Sequence, residues 1–161
     1  MGRGTEMGVN PYGGMLDGRD PAKVMAETPV RLAKVVGAMT KEQVGERPAE
    51  GKWSVREIVA HLADCEIAFG FRMRQAYGGE PRIQPFDQDA WARSYGSYSM
   101  EQAMATFTAL RAWNVAFVGG LSEADKGLVV VHPERGEMTL ATIVETIAGH
   151  DLHHLAGLER G

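Results

Sequence analysis

Cysteine is nearly absent. A single residue of this type, Cys65, among 161 excludes an intrachain disulfide, so the fold must rest on packing. No apolar run reaches the roughly 18 residues of a membrane-spanning helix, and no membrane association is expected. Arg3 is followed by none of the apolar core of a secretory signal; the expected location is therefore cytoplasmic. Clusters of basic residues are missing too. With 17 Lys and Arg against 21 Asp and Glu, and a net charge of −4, the chain lacks the electrostatic footprint of a DNA- or RNA-binding protein. What it does have is apolar mass: 44 % of its residues, enough to give one domain of this length a core of its own.

The stretch 1–19 is glycine-rich and without periodicity, and is read as an irregular or mobile lead-in. Residues 20–161 are read as one domain. Asp20 before Pro21 is an N-cap with proline at the first helical position. Apolar residues from Val24 to Met39 then suit a first helix of about five turns, with Pro29 as a point of kinking or splitting. Ser54 with Glu57 reads as a capping box opening a second helix to about Tyr77, stopped by Gly78 and Gly79. A crossing segment follows, with one helical turn near Asp89 to Arg93. Ser99 with Gln102 repeats the capping pattern and starts a third helix, to about Val118. The β-branched run Val129 to Val131 and the turn at Glu134, Arg135 and Gly136 suggest a small hairpin. Thr139 caps a fourth helix over Leu140 to Leu158. Four amphipathic helices predict an all-α four-helix bundle.

The histidines are unevenly distributed. His150, His153 and His154 lie within five residues of the fourth helix. At about 100° per residue, Leu140, Ile143, Val144, Ile147 and Leu158 share one stripe. His154 falls on that stripe, His150 beside it, and His153 well off it. Two imidazoles four residues apart sit about 6 Å apart at Cβ and can reach one metal ion at about 2.0–2.1 Å. A third ligand must come from another helix, and His61 is the one histidine on the second, in phase with Cys65 and flanking the Ile58, Leu62 and Phe69 face. The alternative is a cluster of core histidines satisfied by hydrogen bonds, which would leave several buried ring nitrogens in need of partners. Cys65 is either a fourth, soft ligand or a small buried hydrophobe. Asp151 falls on the core side and can orient a ligand imidazole or make an ordinary ion pair. His153 is placed near solvent or in an interface. His132, before Pro133 in a loop, is read as structural. Trp53, Trp91 and Trp113 are read as core or groove aromatics.

Several stretches resemble a known family. Trp53-Ser54-Val55-Arg56-Glu57-Ile58-Val59-Ala60-His61-Leu62-Ala63-Asp64 is similar to the second-helix signature of the DinB superfamily, and Gly149-His150-Asp151-Leu152-His153-His154-Leu155 to its fourth-helix signature. Pro85-Phe86-Asp87 running to Trp91-Ala92, and His132-Pro133-Glu134-Arg135-Gly136-Glu137, resemble the YfiT-like branch in particular. The resemblance implies an up-and-down bundle, often paired as a homodimer. It also implies a metal triad, here His61, His150 and His154, holding one divalent ion, zinc or nickel. Members have been described as metal-dependent hydrolases. Others resemble S-transferases joining small thiols such as bacillithiol or mycothiol to electrophiles, and some isomerise maleylpyruvate with a thiol. The expectation is a metal-dependent enzyme activating a low-molecular-weight thiol or water toward a small substrate. The alternatives are a hydrolase and a non-catalytic metal-binding stress protein.

Overall fold

The computed structural model describes residues 10–160. Four long helices carry the fold: α1 (Pro21–Gly37), α3 (Val55–Tyr77), α5 (Met100–Gly119) and α7 (Leu140–Leu158), with three short helices between them, α2 (Lys41–Gly45), α4 (Gln88–Ala92) and α6 (Glu123–Lys126). Their starts are chemically marked. Asp20 accepts from the backbone N–H groups of Ala22 and Lys23. Ser54 and Ser99 form the expected capping boxes with Glu57 and Gln102. Pro29 does not divide α1, which runs unbroken. The short α2 was not foreseen from the sequence; Thr40 and Gln43 cap it reciprocally. Before α7, β1 (Val129–His132) pairs antiparallel with β2 (Gly136–Thr139), and Gly136, at φ 83°, supplies the left-handed turn residue between them.

The four-helix bundle expected from the sequence is what the chain forms, but its helices do not simply alternate. Thr28 meets Asp151 and Arg31 meets Glu159, so α1 and α7 run parallel. Glu66 meets Arg111 and Arg74 meets Asn114, so α3 and α5 are also parallel. His61 faces His154 while Phe69 faces His150, which makes α3 and α7 antiparallel. The chain thus goes up, down, down, up. The reason lies in the segment 78–99, which must return along the bundle between two helices pointing the same way. Its start adds to the hairpin edge, where the Ile83 N–H donates to the Val131 carbonyl and the Val131 N–H to that of Pro81. Its end buries Tyr95 against α3.

Residues 1–9 of the lead-in lie outside the described residues. Residues 10–19 contain one turn of 3-10 helix, Gly13–Met15, and Leu16 is buried in the core with Met25 and Ala148. One expectation fails plainly: Trp113 is neither core nor groove but 70 % exposed on α5. Among the described residues no helix is long and apolar enough to cross a membrane.

Candidate metal centre

Regular helical spacing stacks His61, Cys65 and Phe69 one turn apart on α3, and the antiparallel α7 sets His150 and His154 opposite them. His61 Nε2 lies 3.0 Å from His150 Nε2, and His154 Nε2 lies 3.1 Å from the same atom. Cys65 Sγ is 3.5 Å from His61 Nε2. The donor atoms of His61, Cys65 and His150 fall within 4.8 Å of one another, all three residues being buried, while His154 is half-buried at the mouth.

The spacing fits a small divalent ion. Two nitrogens at about 2.0–2.1 Å from one ion are about 2.9 Å apart at a right angle and about 3.4 Å apart at the tetrahedral angle. The separations of His150 Nε2 from His61 Nε2 and from His154 Nε2 fall between these, whereas the set whose donor atoms all lie close to one another is His61, Cys65 and His150, without His154. Hydrogen bonding alone satisfies the trio poorly, since a neutral imidazole has one donor and one acceptor nitrogen and His150 Nε2 faces two other Nε2 atoms. Burial also keeps these rings in the form that ligates metal. It draws His61 down to about 4 and His154 to about 3, the latter helped by the neighbouring His61 and His153. His150 is driven well below the ordinary histidine value by burial and then by His154 and His61. Burial pushes the Cys65 thiol up, so without a metal it stays protonated, an inert small hydrophobe. His153 is exposed, with its ring 5.2 Å from that of His154.

The surroundings orient the rings. With His61 Nε2 turned to the cluster, its Nδ1–H donates to the Tyr95 hydroxyl at 3.3 Å. The Trp53 ring packs at a tilt against that of His61, 4.9 Å between centres. Tyr12 packs edge-on against His150 at 5.2 Å. Its carbonyl oxygen would lie only 2.5 Å from a Cβ at position 149, so Gly149 admits the N-terminal segment onto α7 at this point.

Asp151 does not orient a ligand imidazole. Its Oδ2 accepts from Thr28 at 2.7 Å and from Arg111 at 2.5 Å, and its Oδ1 accepts from Arg111 at 2.9 Å. The same guanidinium donates to Glu66 at 2.6 Å, and Glu66 also accepts from Asn114 at 2.9 Å. Asp151 follows His150, and Glu66 follows Cys65. Arg111 therefore clamps α3 and α7 by the residues next to the site. This network was missed, although its signal was present: Arg111 and Asn114 sit in phase with the buried Phe107 and Val118 on α5. Tyr12 and Tyr95 had no such signal, since both lie outside the long helices.

Two openings adjoin the cluster, the larger at His154 and the smaller at Cys65 and His150. A groove of about 710 Å³ runs past Trp53, Ile58, His153, His154 and Leu158, with Lys52 and Arg160 at its margin. A smaller cavity of about 170 Å³ touches Cys65 and His150.

Fold and site together define a class: a four-helix bundle whose two antiparallel members hold a buried histidine cluster open to a groove. The chain belongs to the DinB superfamily, whose model matches residues 25–157. A protein of Oceanobacillus iheyensis, provisionally named a metal-dependent hydrolase, is 30 % identical over 132 residues, covering 81 % of this chain and 77 % of its own. The provisionally named metal-dependent hydrolase YfiT of Bacillus subtilis is 28 % identical over 138 residues, 83 % of this chain and 78 % of that one. The solved structure of YfiT, described as having an unusual four-helix bundle topology, superposes with a TM-score of 0.79 at 25 % identity, covering 87 % and 82 % of the two chains. A mycothiol-dependent maleylpyruvate isomerase shares the fold, with a TM-score of 0.68 at 16 % identity over 86 % of this chain and 59 % of that one.

Proposed function

We propose that this protein is a metal-dependent enzyme in which His61, His150 and His154 hold one divalent ion, zinc or nickel, and a small thiol is activated for transfer to an electrophile. The observation that carries the reading is His150 Nε2 lying 3.0 Å from His61 Nε2 and 3.1 Å from His154 Nε2, with His154 lining an open groove. Three protein ligands leave a coordination position free, the arrangement of catalytic rather than structural sites. A bound ion of this kind lowers the pKa of water to about 7 or holds a thiol as thiolate. The protein's own residues do the rest. Tyr95 and Trp53 fix the His61 ring, the Arg111 clamp keeps α3 and α7 in register, and the apolar groove wall excludes water while it positions the electrophile. The names of the relatives support metal dependence, and the fold shared with a mycothiol-dependent isomerase supports the thiol reading.

Protein purified without chelators or a nickel column should carry close to one zinc or nickel per chain by elemental analysis. His154→Ala should lose most of it and His153→Ala little. With metal present, conjugation of bacillithiol, mycothiol or glutathione to a bimane or halonitrobenzene reagent should be accelerated, and chelation or His61→Ala should abolish the gain. Cys65→Ser should keep most activity. Turnover of an ester panel alone would favour the hydrolase reading that the relatives' names suggest. Stoichiometric metal without turnover in either panel would leave a metal-binding stress protein.

A further inference from the structure

The smaller cavity has a chemistry that the metal centre does not explain. Besides Cys65 and His150 it is lined by Arg72, His132 and Arg135. Arg72 projects from α3 two turns beyond Cys65 and is only 6 % exposed. Its Nε donates to the Gln84 carbonyl at 2.9 Å, and its guanidinium lies 5.2 Å from the Phe69 ring centre and 5.3 Å from that of Phe86. Among the described residues no carboxylate comes within 4.0 Å of it. Buried charges are ordinarily paired; among the described residues the other buried guanidinium, Arg111, has two carboxylates. Among the described residues the terminal nitrogens of Arg72 have no protein acceptor. Arg135, half-buried at the hairpin turn, brings a second positive charge close enough to bear on Arg72.

His132 adds a donor. It is 4 % exposed, and its Nδ1 accepts the backbone N–H of Glu134 at 3.1 Å. A neutral ring held in that way carries its proton on Nε2. Burial, with Arg72 and Arg135 nearby, keeps it below the ordinary histidine value and so neutral. One carboxylate, that of Glu134, is exposed at the cavity wall. Two guanidinium groups and an imidazole N–H thus line a space too small for a whole drug-sized ligand, which needs about 300 Å³ or more, but ample for one charged end of a small molecule.

We propose that this cavity is an anion subsite, which takes a carboxylate of the small reactant whose other end meets the histidines from the Cys65 and His150 side. The role of that reactant rests on the metal-centre reading; binding of the anion does not. Planar guanidinium groups match carboxylates with paired N–H donors, and stacking between two phenylalanine rings holds Arg72 in place before the ligand arrives.

The test uses succinate and its uncharged analogue succinamide, titrated by calorimetry into zinc-loaded and metal-stripped protein. Saturable succinate binding in both forms is expected, with succinamide much weaker. Arg72→Met should weaken succinate by about tenfold or more, as loss of a charge-assisted pair does, and Arg135→Met by a smaller factor, with zinc content unchanged in both. Arg135 is half-exposed, so its variant carries the test if Arg72→Met does not fold, together with Arg72→Lys, which keeps the charge and should bind in between. Wild-type protein that shows no saturable succinate binding would overturn the proposal, as would equal binding by wild type and both methionine variants; Arg72 would then only pin the crossing segment. Arginine-dependent succinate binding without zinc binding would sustain the subsite and remove the metal centre. In turnover assays, carboxylate-bearing and uncharged thiols, paired with carboxylate-bearing and uncharged electrophiles, tell which reactant the subsite serves: Arg72→Met should raise KM for the charged member of one pair alone.

Discussion

Arg111 shows how much one residue can govern here. It is 1 % exposed and bonded to Asp151, Glu66 and the Met25 carbonyl. Arg111→Met would strand two buried carboxylates, and breaking a buried pair in that way costs about 3–5 kcal/mol, a large share of the roughly 5–15 kcal/mol that stabilises a typical domain. Urea unfolding should show that loss, and zinc affinity should fall with it because the helices bearing His61 and His150 lose their clamp. Glu57 offers a pH test. Arg47, then the backbone and hydroxyl of Ser54, outweigh burial and hold its carboxylate down at about 2. Its folded value lies below the unfolded one, so its contribution is complete above about pH 4.5 and disappears as pH falls toward 2. The stability gap between wild type and Glu57→Gln, followed by denaturant titration, should close over that window. The histidine pair was legible at this scale because helical phase depends only on spacing. The partners of Asp151 were not, since its position on the core side says nothing of which helix supplies the cation.

At the scale of elements, capping chemistry made the four long helices readable, because Asp20, Ser54, Ser99 and Thr139 act on backbone groups within three residues of themselves. The direction of each helix was not readable in that local code. It is set by where segment 78–99 docks, through backbone pairing with β1 that carries no side-chain signature. The N-terminal segment was equally opaque, since its place on α7 depends on the missing side chain of Gly149. Gly149→Ala would drive a Cβ to 2.5 Å from the Tyr12 carbonyl oxygen, and the segment must lift. Limited proteolysis should then cut between residues 10 and 19 much faster than in wild type, while the far-ultraviolet circular dichroism stays helical. Gly70 plays the corresponding part between α3 and α5, where a Cβ would meet Asn114 Oδ1 at 2.8 Å.

For the whole molecule, the exposed apolar residues set up a test of whether copies of the chain pair. Ile67 and Phe71 on α3 are 47 % and 55 % exposed, and Trp113 on the adjacent α5 is 70 % exposed. Large exposed apolar groups on neighbouring helices are candidates for an association surface. Light scattering at micromolar concentration should return twice the 17.5 kDa of one chain, and Phe71→Glu with Trp113→Glu should return the single mass without loss of helix. A mass of one chain for the wild type would remove the dimer.

The parallel pairing of α1 with α7 has a consequence in time. Thr28 and Asp151 are 123 residues apart along the chain, and contacts of that sequence separation form late because a long loop must close first. A ribosome, which delivers about 5–20 residues per second, releases His61 well before His150 and His154. During synthesis His61 therefore waits on an incomplete bundle, and neither the core around α1 nor the proposed three-histidine centre can close until the last helix has emerged. Metal uptake at the proposed centre is thereby tied to the arrival of the last helix.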